Sequence, residues 1–170
     1  MIVIIANSIM LIGCILLVIA GGTARARCTV VLQTAQLILA ATANILLGGF
    51  TGAALNMVSI IRNAVVLKEK YSMSVRIGFV ISMIIIGTLT NNRGLLGYGI
   101  ILGNAVFSAC LGLKKEELLK LALAFCIFWW AIYDFSNQNY AGAVFDVAIF
   151  VSSIIGFIRI KQSDRANNPP

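Results

Sequence analysis

The polar residues of this chain are gathered in short stretches, and long apolar segments separate them. Seven such segments of roughly 20 residues follow one another, and each is long enough to cross a hydrocarbon layer of about 30 Å as a helix. They cover residues 2–20, 28–47, 50–67, 73–90, 95–112, 118–136 and 140–160. Strands are excluded, because the segments run continuously apolar instead of alternating as membrane barrels do. The pattern therefore predicts an all-α membrane protein with seven transmembrane helices.

The composition agrees with this pattern. Of the 170 residues, 60% are hydrophobic and only 11% are charged, and the mean hydropathy is +0.98. A water-soluble protein of this length has too small an interior to bury so much apolar surface. We therefore expect an integral membrane protein with membrane lipids as partners.

Positive charge lies on one side of the predicted helices. Basic residues of multi-pass proteins concentrate in short cytoplasmic loops. Eleven of the 13 lysine and arginine residues lie at one set of helix ends: Arg25, Arg27, Lys68, Lys70, Arg76, Lys114, Lys115, Lys120, Arg159, Lys161 and Arg165. We therefore expect the N-terminus outside and the C-terminus in the cytoplasm. The net charge of +7 follows from this bias and indicates attraction to anionic lipid head groups, with no nucleic-acid partner.

An internal duplication relates the two halves of the chain at an offset of ninety residues. Phe50-Thr-Gly-Ala-Ala-Leu-Asn56 and Tyr140-Ala-Gly-Ala-Val-Phe-Asp146 match at their aromatic, Gly, Ala and polar positions. The same offset pairs Gly13 with Gly103, Gly22 with Gly112, Arg25 with Lys115, Ala41 with Ala131 and Asn44 with Asp134. Repeats of this kind in membrane proteins commonly enclose a solute site.

The duplication predicts the domain organisation. A unit of three membrane spans reverses direction, so one additional span must precede a second unit in the same orientation. The segment 73–90 has no counterpart in the duplication and supplies that span. We expect two bundles related by an axis along the membrane normal. The predicted domains are a first triple-helix repeat at 1–67, a linker helix at 68–94, a second triple-helix repeat at 95–161 and a cytoplasmic tail at 162–170.

Two stretches combine small, aromatic and polar residues in a similar order. The first runs Ile45-Leu-Leu-Gly-Gly-Phe-Thr-Gly-Ala-Ala-Leu-Asn56 and continues to Arg62-Asn63. The second begins Trp130-Ala-Ile-Tyr-Asp134 and continues to Gly142, Asp146 and Ile158-Arg159. Both resemble signatures of the YgjV-like bacterial inner-membrane proteins. This resemblance implies a location in a bacterial inner membrane.

The plan of three, one and three helices also resembles the SWEET sugar transporters and the PnuC-type vitamin transporters. That resemblance implies a SWEET-like arrangement of the helices. The chain departs from the sugar transporters in one respect, because its only prolines are Pro169 and Pro170. Any rocking of the bundles would therefore bend at glycines, with Gly13, Gly103, Gly142 and Gly156 as candidates.

Polar residues inside the third and seventh segments indicate a binding site. In the third segment Asn56, Ser59 and Asn63 share one helix face. In the seventh segment Asp146 and Ser153 share the equivalent face. In the SWEET-like plan a paired polar position on these helices holds the solute, so we expect these five residues to bind it. Asp146 is the only acidic residue placed well inside the membrane, where it would bind a hydroxyl, a cation or a proton. The alternative is that the pair only joins helices by hydrogen bonds.

Arg62 is assigned a structural role together with Gln33 and Gln36. Gln33 lies at the same depth in the neighbouring antiparallel segment, and Gln36 lies one turn further in. We expect Arg62 to bond one of these amides or to extend toward the cytoplasmic surface. An ion pair with Asp146 is the alternative. Ser108 is interpreted as a contact between helices.

The sixth segment adds an aromatic candidate. Trp130 lies deep enough to stack on a planar or sugar-like solute and is included in the expected binding set. Asn44 and Asp134 are treated as structural polar residues. Tyr133 and Asp134 lie near the outer surface, where an interfacial aromatic belt is the alternative interpretation. Asn104 is interpreted as a helix contact.

Several chemistries have no support in the sequence. The chain has no histidine for a zinc site or a catalytic triad, and it has no Gly-rich phosphate-binding motif. Its four cysteines are dispersed in or at the ends of apolar segments and are expected to be reduced. We therefore expect no enzyme activity, no metal and no cofactor.

The expected function is transport. The duplication and the polar faces favour a transporter or facilitator of a small polar solute, sugar-, nucleoside- or vitamin-like, that alternates access between two bundles. The alternative is a non-transporting integral membrane subunit or scaffold. A cavity between the third and seventh helices would favour transport, and a dry seam would favour the scaffold. The sequence leaves open whether the chain also forms a homo-oligomer.

Overall fold

The computed structural model describes residues 1–22, 26–68, 72–111, 113 and 116–167. Within these ranges the chain forms seven helices. Their bounds are α1 Ile2–Gly22, α2 Ala26–Leu46, α3 Phe50–Leu67, α4 Met73–Leu89, α5 Leu95–Cys110, α6 Glu116–Ser136 and α7 Tyr140–Asn167. Each predicted segment corresponds to one helix, and the bounds agree within two residues everywhere except at the end of α7. The all-α prediction is therefore confirmed.

The end of α7 differs from the prediction. The helix continues to Asn167 and includes most of the segment 162–170, which was assigned to a polar tail. No residue between Gly156 and Pro169 is a glycine or a proline, so nothing in this stretch favours ending the helix. Polarity marks where a helix leaves the membrane, but it does not end the helix itself.

Some residues used in the sequence predictions lie outside the described ranges. They include part of the basic set on which the orientation rests, one member of a repeat pair and both prolines. These residues are Arg25, Lys70, Gly112, Lys114, Lys115, Pro169 and Pro170.

Five of the described helices are long and apolar enough to cross a membrane. The crossing windows are Ile2–Ala20, Arg27–Leu46, Phe50–Leu67, Glu117–Ser136 and Tyr140–Gln162. The other two, α4 and α5, are apolar but have only 17 and 16 residues. At about 1.5 Å per residue they extend about 24 to 26 Å, slightly less than the hydrocarbon thickness of about 30 Å. Seven full-length spans were predicted, and the helix lengths support five.

The helices pack in a cyclic order. Contacts join α1 to α2, α2 to α3, α3 to α5, α5 to α6, α6 to α7, and α7 back to α1. The remaining helix, α4, packs against α3 and α5. Two seams, α3 with α5 and α7 with α1, are less extensive than the contacts inside each run of three helices. Six helices therefore form a ring, and α4 covers one of its seams.

The surface of the ring is apolar, and many residues of its interior are small or polar. Large apolar side chains are exposed on every helix, for example Ile12, Val31, Ile61, Ile85, Leu102, Phe135 and Val144. Buried positions are rich in alanine, serine and asparagine. Small residues let membrane helices approach closely, because lipid supplies no hydrophobic force between them. At Gly103, for instance, an added Cβ would lie 2.9 Å from the Cα of Cys126 on α6. This distribution indicates lipid contact around the whole ring.

The turns between α2 and α3 and between α6 and α7 have the same conformation. Gly48 has a φ of 72° and Gln138, ninety residues later, has a φ of 63°. The amide of Gly49 donates to the carbonyl of Asn44 at 2.7 Å, and the equivalent bond from Asn139 to Asp134 is 2.9 Å. A left-handed residue followed by this bond is the Schellman ending of a helix. The duplication seen in the sequence therefore extends to backbone geometry.

Each turn is held by an asparagine from the other half of the ring. Asn7 on α1 donates its Nδ2 to the carbonyl of Gln138 at 2.8 Å, and Asn92 before α5 donates its Nδ2 to the carbonyl of Gly48 at 2.6 Å. The Oδ1 of Asn7 also accepts the amide of Ala141 at 2.9 Å. These bonds join both seams at one end of the ring, which we call the turn end.

Candidate functional site

A central cavity of about 150 Å³ lies inside the ring. Its described lining comes from α1, α2, α3, α5, α6 and α7, with no contribution from α4. Asn56 on α3 and Asp146 on α7 both line it. The cavity expected between these two helices is therefore present, and four further helices bound it.

Most of the lining follows the duplication. Seven pairs of lining residues are separated by ninety positions: Leu17 and Phe107, Gln36 and Cys126, Leu37 and Ile127, Ala40 and Trp130, Asn44 and Asp134, Asn56 and Asp146, and Ser59 and Ile149. Positions that are equivalent in the sequence duplication therefore line one cavity. A chance void beside one helix would not show this pairing.

Two of the pairs place an asparagine in the first half opposite an aspartate in the second. Asn44 and Asn56 are 1% and 5% exposed, and Asp134 and Asp146 are 2% and 9% exposed. The polar lining is therefore withdrawn from the lipid-facing surface. The amides and carboxyl groups can supply hydrogen bonds on both sides of the cavity.

Glycines on α3 and α7 make room for these polar side chains. A Cβ added at Gly52 would lie 3.2 Å from Cγ of Asn44 on α2, and one added at Gly142 would overlap Oδ2 of Asp134 on α6. The two glycines are themselves ninety residues apart. Each repeat therefore packs a glycine against the polar residue of its preceding helix, a role that sequence reasoning did not assign to them.

Several polar atoms of the cavity are left without a bond. Among the described residues, Oδ1 of Asn44, Nδ2 of Asn56 and Oδ1 of Asp134 are buried and have no hydrogen-bond partner. Oδ2 of Asp134 accepts from Nδ2 of Asn139 at 2.8 Å. Buried polar groups are almost always bonded, so these three atoms of cavity-lining residues are exceptions to that rule.

Arg62 also lines the cavity, and it contacts residues of α5. Its Nη1 donates to Oγ of Ser108 on α5 at 2.9 Å, and its guanidinium lies over the Phe107 ring at 5.4 Å. The side chain is only 7% exposed, so it does not extend to the surface. Because α3 packs against α5 as well as α2, the arginine reaches the later helix. The interpretation of Ser108 as a helix contact agrees with this bond.

Asp146 lines the same cavity as Arg62. Asp134 also lines this cavity. The cavity therefore contains two neighbouring acidic groups.

The burial of Tyr133 and Asp134 on α6 contradicts the alternative interpretation of an aromatic belt. Tyr133 is 0% exposed, and its hydroxyl accepts the amide of Gly52 at 3.0 Å. Asp134 lines the cavity, so Asp146 is not the only acidic group inside the ring. Trp130 lines the cavity as predicted and packs edge-on against Tyr133, with ring centroids 5.8 Å apart. The offset of ninety residues from Asn44 was the signal that could have placed Asp134.

The other candidates divide between the cavity and helix contacts. Ser59 and Gln36 line the cavity, and so does Asn104, which had been interpreted as a helix contact. Asn63 is buried and donates to Oγ1 of Thr34 on α2 at 3.4 Å. Ser153 is buried, but neither it nor Asn63 nor Gln33 belongs to the described lining of the cavity.

A second cavity of about 190 Å³ lies at the turn end. Its lining again contains equivalent positions, with Val3 and Arg93, Leu46 and Ser136, and Leu47 and Asn137. A thin layer separates it from the central cavity. A Cβ added at Gly49 would contact Asn137, which lines the cavity at the turn end, and Asn44, which lines the central cavity. It would also contact the hydroxyl of Tyr133. Two spaces related to the same repeat are therefore divided by a few polar side chains.

Comparison with known proteins gives one family. The chain matches the model of Imp-YgjV, described as a bacterial inner membrane protein, over residues 4–164. No curated protein and no solved structure matches the chain. The matched range contains the whole described lining of the central cavity.

Proposed function

The chain belongs to the Imp-YgjV family of bacterial inner membrane proteins, and we propose that it is a transporter or facilitator of a small polar solute and not an enzyme. Family membership and the long apolar helices make it a multi-pass inner membrane protein. Transport is the activity that best accounts for the central cavity.

The pairing of the cavity lining carries this proposal. Solute sites of transporters built from repeats lie at the interface between the repeats near the middle of the membrane. Here seven equivalent pairs face one cavity, and buried polar atoms on both sides are open for bonding. A scaffold protein needs polar contacts between helices, but it does not need open polar atoms around a shared cavity.

The helix order supports a plan of three, one and three helices. Exchanging α1, α2 and α3 with α5, α6 and α7 reproduces the cyclic order of contacts. The two runs would then act as bundles joined by α4, meeting at the less extensive seams. Movement of one bundle against the other along these seams would alternate access to the cavity.

The cavity volume limits the solute. Water occupies about 30 Å³ per molecule in the liquid, so a cavity of about 150 Å³ holds about five waters or a solute of comparable size. A nucleoside or a vitamin is larger than this and would require a wider conformation. We therefore narrow the expected solute class to small polar molecules.

A flux assay on purified protein in liposomes tests the proposal. Osmotic swelling with a panel of small polar solutes should be faster than in protein-free liposomes for at least one solute. The variant Ser59→Ile should slow it, because Ser59 lines the cavity and isoleucine adds apolar volume there. Ala64→Ile, which adds the same side chain at an exposed position of the same helix, is the matched control and should retain flux.

Both variants must first show a normal melting temperature in detergent. Flux that is equal in wild type and Ser59→Ile, with both proteins folded, would place the pathway elsewhere. Absence of flux for every solute in the panel would favour the scaffold interpretation.

A further inference from the structure

We infer that the cavity at the turn end is the entrance to the central cavity, and that the polar side chains between the two cavities form a gate. The inference rests on the proposed transport function and names the path of the solute. The gate layer consists of Asn44, Tyr133 and Asn137, which meet at Gly49.

The gate layer is thin. Asn137 lines the cavity at the turn end, and Asn44 lines the central cavity. A Cβ added at Gly49 would overlap Nδ2 of Asn137 and would lie 3.0 Å from Oδ1 of Asn44. It would also lie 3.0 Å from the hydroxyl of Tyr133. Atoms from the linings of both cavities therefore meet at one point, and displacement of a few side chains there would connect the two spaces.

Both halves of the ring contribute to the gate layer. Asn44 lies on α2, and Gly49 lies in the turn that follows this helix. Tyr133 lies on α6, and Asn137 lies in the equivalent turn of the second half. Tyr133 is completely buried, and its hydroxyl accepts the amide of Gly52 on α3 at 3.0 Å. The contacts that close the layer therefore cross between the halves, and movement of one half against the other would separate them.

The chemistry of the gate layer suits a polar solute. Two amides and a phenol hydroxyl meet there, and each can donate and accept hydrogen bonds. The positions equivalent to Tyr133 and Asn137 in the first half are Ala43 and Leu47. The duplication alone therefore does not account for a polar layer at this point. Polar groups along a path can replace the hydrogen bonds that a solute gives up when it leaves water.

The cavity at the turn end is placed to receive the solute first. Ser136 and Gln138 line it and are exposed. Its volume of about 190 Å³ is similar to the 150 Å³ of the central cavity, so a solute that fits the second also fits the first. Asn44 and Asp134 in the central lining are only 1% and 2% exposed. A solute that arrives from the turn end therefore meets the gate layer before it reaches these residues.

A disulfide across the layer tests the gate. Gly49→Cys with Asn137→Cys places one thiol in each half of the ring. The two thiols should be able to pair, because a Cβ at Gly49 would overlap the Asn137 amide. Gly49 has a φ of −87°, outside the left-handed region, so a cysteine is allowed there. Mass spectrometry of the purified protein measures how completely the disulfide forms.

Glycerol is the probe for flux through the double variant. Swelling of liposomes is measured after oxidation and again after reduction, relative to liposomes without protein. We expect oxidation to stop glycerol entry and reduction to restore it, because the disulfide holds the two halves together at the layer. Each single cysteine variant receives the same treatment as a control and should show no change.

Shortening one side chain of the layer tests its role in size selection. Asn137→Ala should admit a larger member of the series glycerol, erythritol and ribitol than the wild type admits. A residue with only a structural role would change the entry of all three polyols alike. Ile2→Ala removes side-chain volume from the same cavity on α1 and is the matched control. It should keep the size limit of the wild type.

The outcomes separate this inference from the proposed function. If the disulfide forms completely and glycerol still enters, or if Asn137→Ala keeps the wild-type size limit, the inference is wrong while transport remains supported. If no polyol enters through either the wild type or Asn137→Ala, the inference is also wrong. Absence of flux for every solute in the wider panel would refute transport as well. Should the cysteine pair fail to fold, the size limit of Asn137→Ala decides.

Discussion

Asn56 on α3 and Asp146 on α7 are ninety residues apart and face the same cavity from helices with different packing partners. α3 packs against α2, α4 and α5, and α7 packs against α6 and α1. Their side chains are therefore brought together by the closure of the ring and not by direct packing of the two helices. This relationship makes the pair sensitive to any movement of one half of the ring against the other.

The charge of Asp146 should be required for driven transport. In Asp146→Asn the size and hydrogen-bonding capacity remain, but this position can no longer carry a negative charge or exchange a proton. We expect uphill accumulation of solute to be abolished while exchange across liposomes persists. Fully normal uptake by this variant would assign the residue to helix packing only.

Glycine is required where each repeat packs against its own polar residue. Gly142→Ala would place a methyl group on the Asp134 carboxyl, so we expect destabilisation of about 1–3 kcal/mol by overpacking. Gly78→Ala on α4 has no neighbour within 4 Å and should be neutral or slightly stabilising. Thermal unfolding in detergent compares the two. Equal melting temperatures would contradict the packing at α6 and α7.

Gln138 lies in a conformation that favours glycine. Its φ of 63° is in the left-handed region, which raises the energy of a residue with a Cβ by about 1–2 kcal/mol. Gln138→Gly should therefore stabilise the protein by up to about 1 kcal/mol, after allowing for the greater freedom of the unfolded chain. Gly48→Ala in the equivalent turn should destabilise it. The melting temperatures of the two variants should move in opposite directions.

Reversing the charges of Arg62 and Asp146 should give no rescue. The double variant Arg62→Asp with Asp146→Arg is expected to be no more stable than the poorer single variant, because Arg62 contacts Ser108 and Phe107 on α5. Unfolding of the four proteins in a double-mutant cycle measures the coupling. A recovery of more than about 1 kcal/mol would show that the two residues form an ion pair.

The orientation of the chain can be tested with C-terminal reporters. The basic residues predict a cytoplasmic C-terminus, so a fluorescent protein fused there should fold and an alkaline phosphatase should stay inactive. Fusions after Gln138 at the turn end should give the reverse result. Active phosphatase at the C-terminus would invert the predicted topology.

The sequence predicted the helices well because their ends carry local signals. The bounds of α3 agree at both ends, since glycines precede it and charged residues follow it. The bond from Arg62 to Ser108 was not foreseen, because a contact between α3 and α5 depends on how helices distant in sequence pack. The burial of Asp134 was missed because only its depth along the helix was considered, and not the direction of its side chain around the helix axis. The repeat offset held that information, since Asn44 and Asp134 occupy equivalent positions.

The asparagine and aspartate pairs have a consequence for how such a protein evolves. In a dimer of identical three-helix chains, an acid introduced at one of these positions would appear twice around the axis. Acids at both positions would therefore place four carboxyl groups in one cavity. A fused chain removes that constraint, because each copy can mutate alone. The cavity has Asn44 and Asn56 on one side and Asp134 and Asp146 on the other. It therefore has half as many carboxyl groups as the symmetric dimer would have, and all of them lie on one side. Fusion therefore permits a cavity whose two sides carry different charges.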